Sequence, residues 1–366
     1  MILKSFRHIH RVWQGNSFHW VISSVLILVC IVLLAGCSIP PNPGNLFSGK
    51  KVVGVDFEQV GPEDKIVIKF SHVVAENTPK GLAANKFKRL AESKTNGRVE
   101  VQIFPNAQLY DDDAAIAALQ QNQVQMIAPA TSKMTYLIPE WQVFDLPYAF
   151  RDEEAVKQAM EGELGLKLFS LLEPHGLIGL TMWDNGFKQL TTKKRPIHKL
   201  NDIQGLSFRI MDSNILKKQF ELFGATPVVT RFSDVYSFLE QDMTDGQENT
   251  LSNIYTKRFY EVQDYLTVSD HGYLGYAVIT NQEFWNAIPD DIQILLEEAM
   301  KETTQWIRVN AKRINEEQLE NLTRTQRLRV HYLTATDKAE WKKLLSPVYQ
   351  QLTSEIGNEY MRFLPK

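Results

Sequence analysis

The segment KIVIKFSHVVAENTPKGLAANKFKRLAESKTNGRVEVQIF (65–104) reads as a strand, a loop, a helix and a second strand. Ile66, Ile68 and Phe70 alternate with Val67, Lys69 and Ser71, the two-residue period of a strand. Pro79 opens a helix that runs to about Thr95 with Leu82, Phe87 and Leu90 on one side, and Asn96-Gly97 ends it. Val99–Phe104 is extended again. A helix beginning in the acidic turn Asp111-Asp113 and an apolar strand Val124–Ala128 continue the alternation. Strand, helix, strand, helix, strand predicts an α/β lobe with a largely parallel sheet.

Towards the C-terminus, one helix is expected from about Asp152 to Leu172, stopped by Pro174-His175-Gly176, followed by strand-like Leu177–Met182. At Trp183 the character changes and a second α/β pattern begins. It comprises extended Lys188–Thr192, strand Leu206–Ile210, a helix over Ser213–Leu222, strand Pro227–Thr230, a helix from Ser233 and the turn-rich stretch Thr244–Asn249. After the apolar run Tyr273–Thr280, a helix starts near Pro289 and continues to about Arg324 without Gly or Pro. Such a helix is about 50 Å long, too long for one small lobe, so it is expected to cross both. The fold class is therefore α/β, with two lobes: 65–185 with 275–314, and 186–274 with 315–366. A cleft between two lobes is a usual place for a small ligand.

Towards the N-terminus, the Pro- and Gly-rich residues 38–62 read as part of a tether. Before them, Lys4, Arg7 and Arg11 precede an uncharged apolar run from Val21 to Gly36, the order of an export signal. Leu34-Ala35-Gly36-Cys37 resembles a bacterial lipobox, which implies a signal peptide over 1–36, lipidation of Cys37 and a lipidated tether over 37–64. The other cysteine, Cys30, lies in the leader, so no thiol is left for a disulfide, a zinc site or a nucleophile. The formal net charge of -3 gives no basic excess for nucleic acid, so an anionic ligand has to be held by a few placed cations. There is no GxSxG or HExxH, the motifs a serine or zinc hydrolase would use. The triple Asp111-Asp112-Asp113 lacks the ligand spacing of a calcium loop and fits a helix first turn, where acids complement the dipole. No metal or cofactor is expected.

Several linked pieces then carry a family resemblance: FSHVVAENTPKG (70–81), FDLPYAF (144–150), DNGFKQLT (184–191), GLSFRI (205–210), DGQEN (245–249), EVQDYLTVSDHGYLGY (261–276) and FWNAIPDDIQ (284–293). Together they resemble the solute-binding protein of a tripartite ATP-independent periplasmic (TRAP) transporter, most closely its C4-dicarboxylate-binding branch. The resemblance implies a two-lobed clamp in the periplasm or at the extracellular face, a small organic acid anion as ligand and a membrane permease as partner. It implies no catalysis. Succinate, malate or fumarate are the expected ligands, with a sugar acid, keto acid or aromatic acid as alternatives; a secreted lipoprotein enzyme and a sensor working with a membrane kinase are the rivals.

Carried over by position, the arginine of GLxxR is Arg209, implied to pair with the substrate carboxylate through both prongs of its guanidinium. A planar guanidinium matches a carboxylate as an ammonium does not. Asn249 of DGQEN is implied to donate to the same carboxylate, and Phe232 to form an aromatic wall. Lys188 stands where some relatives carry a second arginine and is the candidate second charge. His72, Lys80 and Ser132 follow expected strands at the ends that face a cleft, and His271 is a hinge or cleft candidate. Position 207 is Ser where Lys is frequent in the family, and the lipobox implies a tethered receptor.

Overall fold

The computed structural model describes residues 65–364; the expected signal segment 1–36, Cys37 and the tether 37–64 lie outside the described residues. β1 (Ile66–Ser71) and β2 (Val99–Phe104) pair in parallel from Ile66 opposite Val99 to Ser71 opposite Phe104. The helix Pro79–Lys94 joins them. Thr78 caps it by accepting from the Gly81 N–H at 3.2 Å, and Pro79 fills a first-turn position whose N–H would be unpaired anyway. Asn96 and Gly97, at φ 51° and 78°, close it. This helix lays Ala83, Ala84, Phe87 and Ala91 onto Ile68, Phe70 and Val101, all fully enclosed.

β3 (Met126–Ile127) pairs in parallel with the other side of β1, as the alternation predicts. The sheet then becomes mixed. β4 (Leu177–Thr192) and β9 (Tyr273–Asn281) add antiparallel strands from remote parts of the chain. Sequence reading separates Leu177–Met182 from Lys188–Thr192, whereas the structure has one strand of 16 residues. Register shifts between Gly179 and Thr181 and between Asp184 and Gly186 let β4 bend and leave β9. Its far half pairs with β7 (Gly246–Thr250) and β8 (Tyr265–Val268). β5 (Ser207–Ile210) lies parallel between β7 and β6 (Thr226–Val229), and β10 (Arg329–Tyr332) flanks β8. The main strand order is β2-β1-β3-β9-β4-β7-β5-β6. β4 therefore belongs to both halves of the sheet.

The helix Asp290–Arg324 has the expected 35 residues. It packs on the helix Pro79–Lys94, on β4 and on the helix Leu251–Thr256, so it touches elements of both halves. Ile292, Leu296 and Ile307 join the cluster around Phe70, while Leu322 joins Val235, Leu239 and Ile254. Two local readings differ. The single helix expected over 152–172 is two, Glu153–Glu161 and Glu163–Ser170, broken at Gly162, where a Cβ would stand 2.4 Å from the Gln158 carbonyl oxygen. The second is the end of the chain, read as part of the second lobe. Trp341 does pack there, on Phe223, but Val348, Leu352 and Tyr360 join Trp141, Phe144 and Leu164 of the first half. Apolar positions on the final helices find a second partner that their spacing does not identify.

Candidate ligand-binding cavity

β5 alternates: Phe208 and Ile210 enter the core, while Arg209 lies on the opposite face. Arg209 is 1% exposed and donates Nε and Nη2 to the Thr230 carbonyl oxygen at 3.2 and 2.8 Å. Among the described residues it is paired with no carboxylate. The neighbouring β7 carries Asn249, whose Oδ1 accepts from Thr250 N at 3.1 Å and from Asn253 Nδ2 at 2.8 Å. That leaves the Asn249 amide donors for the small cavity it lines. The cavity measures about 30 Å³, and Arg209, Asn249, Asn253, Phe232, Asp112, Lys133 and Tyr276 border it along with the apolar Val73, Val74 and Leu274.

Both halves of the molecule supply this lining. Tyr276 comes from β9; its hydroxyl accepts from Asn185 Nδ2 at 2.7 Å, and Lys80 Nζ sits 3.9 Å from its ring centre. Lys80 is fully buried, with the Ala128 carbonyl oxygen as its acceptor at 2.8 Å. Lys133 is held by Asp113 at 2.8 Å. At the rim, Arg231 approaches Asp111 at 3.6 Å and Asp234 at 2.8 Å. Lys257 donates to Asn106 Oδ1 at 3.3 Å and lies 5.2 Å from the centre of the Phe232 ring.

The charges here are desolvated and incompletely balanced. Burial pushes Arg209 down to about 10, although Glu248, Asp112 and Asp113 pull the other way. Burial also pushes Lys80 down to about 8, with Asp112 opposing. His72 is 2% exposed, and neither ring nitrogen has a hydrogen-bond partner among the described residues. Burial first, and the nearby Lys80 charge second, hold it at about 3, so it is neutral at ordinary pH. Asp112 is displaced upwards by burial against the pull of Lys80 and Lys133. A carboxylate ligand supplies what such a site lacks: negative charge and acceptor oxygens.

The residues singled out by sequence divide into two places. Arg209, Asn249 and Phe232 line the cavity, and Lys80 stands behind Tyr276 with His72 beside it electrostatically. Asn249 sits on a strand, not in the turn the sequence suggests. Lys188 and His271 lie elsewhere. Lys188 Nζ meets Glu248 at 2.8 Å, His271 Nε2 lies 3.0 Å from the same carboxylate, and Ser269 Oγ lies 2.8 Å from His271 Nδ1. Ser132 donates to Asp145. Sequence reasoning missed Asp112, Lys133, Asn253 and Tyr276 as lining. Asn253 gave no signal of its own, because Asn249 is on β7 and Asn253 on the following helix, and only the fold brings its Nδ2 to Asn249 Oδ1. Asp112 was hidden by its neighbours, because Asp111 does cap the helix by accepting from Ala114 N at 2.9 Å.

The model of bacterial extracellular solute-binding protein family 7 matches residues 70–355. The C4-dicarboxylate-binding protein DctB of Bacillus subtilis strain 168 is 49% identical over 340 residues, covering 92% of this chain and 97% of that protein. A crystal structure of a TRAP periplasmic solute-binding protein from Sulfurospirillum deleyianum, with bound succinate, is 42% identical with a TM-score of 0.79, covering 82% of this chain and 98% of that one. A second, from Pseudomonas aeruginosa with bound L-malate, is 36% identical with a TM-score of 0.76, covering 78% and 99%.

Proposed function

This chain belongs to bacterial extracellular solute-binding protein family 7, and on that premise we propose that it is the extracytoplasmic receptor of a TRAP transporter, capturing a C4-dicarboxylate such as succinate, malate or fumarate for a membrane permease. It is a binding protein and not an enzyme. One observation carries the ligand chemistry: Arg209 is buried at the cavity with a main-chain oxygen, and no carboxylate, as its acceptor among the described residues. A buried cation without a counter-ion is costly, and a bound carboxylate removes that cost.

In this reading Arg209 takes one carboxylate of the ligand, Asn249 donates to it, and Phe232 walls the aliphatic middle. Lys80 and Lys133 provide positive potential from the other side. Lobe I spans 65–185 and 275–314, and lobe II spans 186–274 and 315–366, with the final helices reaching back to lobe I. Closure of the two lobes removes the ligand from water and brings the rim groups Arg231 and Asp111 together. Because the ligand binds the closed form better, it shifts the population the permease meets. Cys37 carries a lipid that holds the receptor at the membrane surface.

Thermal unfolding against a panel of C4-dicarboxylates, sugar acids, keto acids and neutral sugars tests the reading. A ligand at a hundredfold excess over its Kd stabilises by about 2.7 kcal/mol, a shift of several degrees. Stabilisation by dicarboxylates that disappears in Arg209→Ala supports it. Stabilisation by another class of acid alone overturns the dicarboxylate assignment. Mass spectrometry of the membrane fraction tests the lipid, which Cys37→Ser removes.

A further inference from the structure

The acidic triple at the start of the helix Asp112–Gln120 splits into three fates. Asp111 caps the helix and approaches Arg231. Asp113 pairs with Lys133. Asp112 makes no side-chain hydrogen bond or ion pair among the described residues, yet it borders the same cavity as Arg209, Asn249 and Tyr276. Its charged surroundings come from every side: Lys80 on the helix Pro79–Lys94, Lys133 on Thr131–Met134, Arg209 on β5, and Asp111 and Asp113 on its own turn, with the Tyr276 phenol on β9.

A charge count shows the consequence. Lys133 and Asp113 cancel, and at the rim Arg231 and Lys257 together cancel Asp111 and Asp234, leaving Arg209 and Lys80 against Asp112. With Asp112 ionised the site carries one excess positive charge, and a dicarboxylate dianion overshoots it. With Asp112 neutral, two cations balance the dianion. We propose that Asp112 is the group that matches the cavity to a dianion: it takes one proton from solvent as the dicarboxylate enters and then donates a hydrogen bond to it. No bond within the ligand changes. This inference rests on the dicarboxylate reading above. Asp112 already sits above the ordinary carboxylate range in the absence of ligand, through burial, and a second anion beside it raises it further. Between those two positions the protonated form binds better, so affinity rises as pH falls.

The test is calorimetry on the full chain with fumarate, which stays a dianion to lower pH than succinate. Measured across the acid range in buffers of different protonation enthalpy, the wild type is expected to take up protons with the ligand, approaching one per ligand inside the window between the free and bound positions of Asp112. Its affinity then tightens by up to about tenfold for each pH unit lowered within the window. In Asp112→Asn the uptake disappears, the acid side of the profile flattens, and fumarate binds more tightly than to the wild type at neutral pH. A fall in affinity as pH rises through about 8, where Lys80 loses its proton, is expected in both proteins and serves as an internal control. The proposal is overturned by absence of proton uptake in the wild type, or by uptake that persists in Asp112→Asn and vanishes in Asp145→Asn. Equal weakening of Asp112→Asn at every pH would overturn it too, by reducing Asp112 to a positional contact. If Asp112→Asn does not fold, absence of uptake in the wild type still overturns the proposal, and loss of uptake in Asp145→Asn overturns it as well. Failure of the wild type to bind fumarate at all would instead remove the dicarboxylate reading, and this inference with it.

Discussion

Glu248 and Asn249 are neighbours on β7, and strand alternation sends them into two different buried polar regions. Glu248 meets Lys188 and His271, and His271 meets Ser269, so each charged group there has a protein partner. Asn249 borders a cavity lined by Arg209, with Lys80 behind its Tyr276 wall; both cations are equally buried but have main-chain oxygens as their acceptors. Burial of charge is common to both regions and therefore does not mark the ligand site. What separates them is balance: the first is complete within the protein, and the second leaves Arg209 and Lys80 on main-chain oxygens with no carboxylate partner among the described residues.

The largest effect is expected from breaking the balanced region. Glu248→Gln leaves Lys188 buried without a counter-charge and is expected to cost about 3–5 kcal/mol in urea unfolding. The same carboxylate has a pH signature. Burial alone would raise it, but Lys188 and His271 outweigh burial and hold it at about 2, below the ordinary 4.5. A depressed carboxylate contributes stability above the higher value that is lost as pH falls towards the lower, at about 1.4 kcal/mol per pH unit. Glu248→Gln is expected to lose that limb of the wild-type acid-unfolding profile. An unchanged profile would show that Lys188, Glu248 and His271 do not form the balanced group described here.

Next in size is the opposite manipulation in the cavity. Arg209→Ala is expected to cost about 3 kcal/mol of dicarboxylate affinity, roughly a hundredfold or more in Kd by calorimetry. The ligand-free protein should unfold at the same urea concentration or a higher one, since an uncompensated buried cation has been removed. Marked destabilisation without ligand would erase the distinction between the regions. The smallest effect is expected at the rim. Arg231 is 60% exposed at its side chain, so its pair with Asp111 is solvent-screened. Arg231→Ala should weaken ligand binding by less than about 1 kcal/mol, and the difference should shrink further in high salt.

Patterns that act over a few residues were readable in the chain. The β1 alternation, the Pro79 start and Asn96-Gly97 stop of the first helix, and the 35-residue helix follow from local backbone and solvation preferences. Arg209, Asn249 and Phe232, which line the cavity, were reachable through the family resemblance and not through their own spacing. The use of Lys188 was not, since its partner Glu248 lies 60 residues away. Neither was the continuous path of β4, the return of Val348 and Leu352 to the first half, or the separate fates of Asp111, Asp112 and Asp113. Spacing along a chain specifies which face a side chain occupies. Whether that face meets a counter-charge, a core or a cavity depends on elements brought together from distant positions, so only the folded arrangement distinguishes Lys188, paired with a carboxylate, from Lys80, left on a main-chain oxygen.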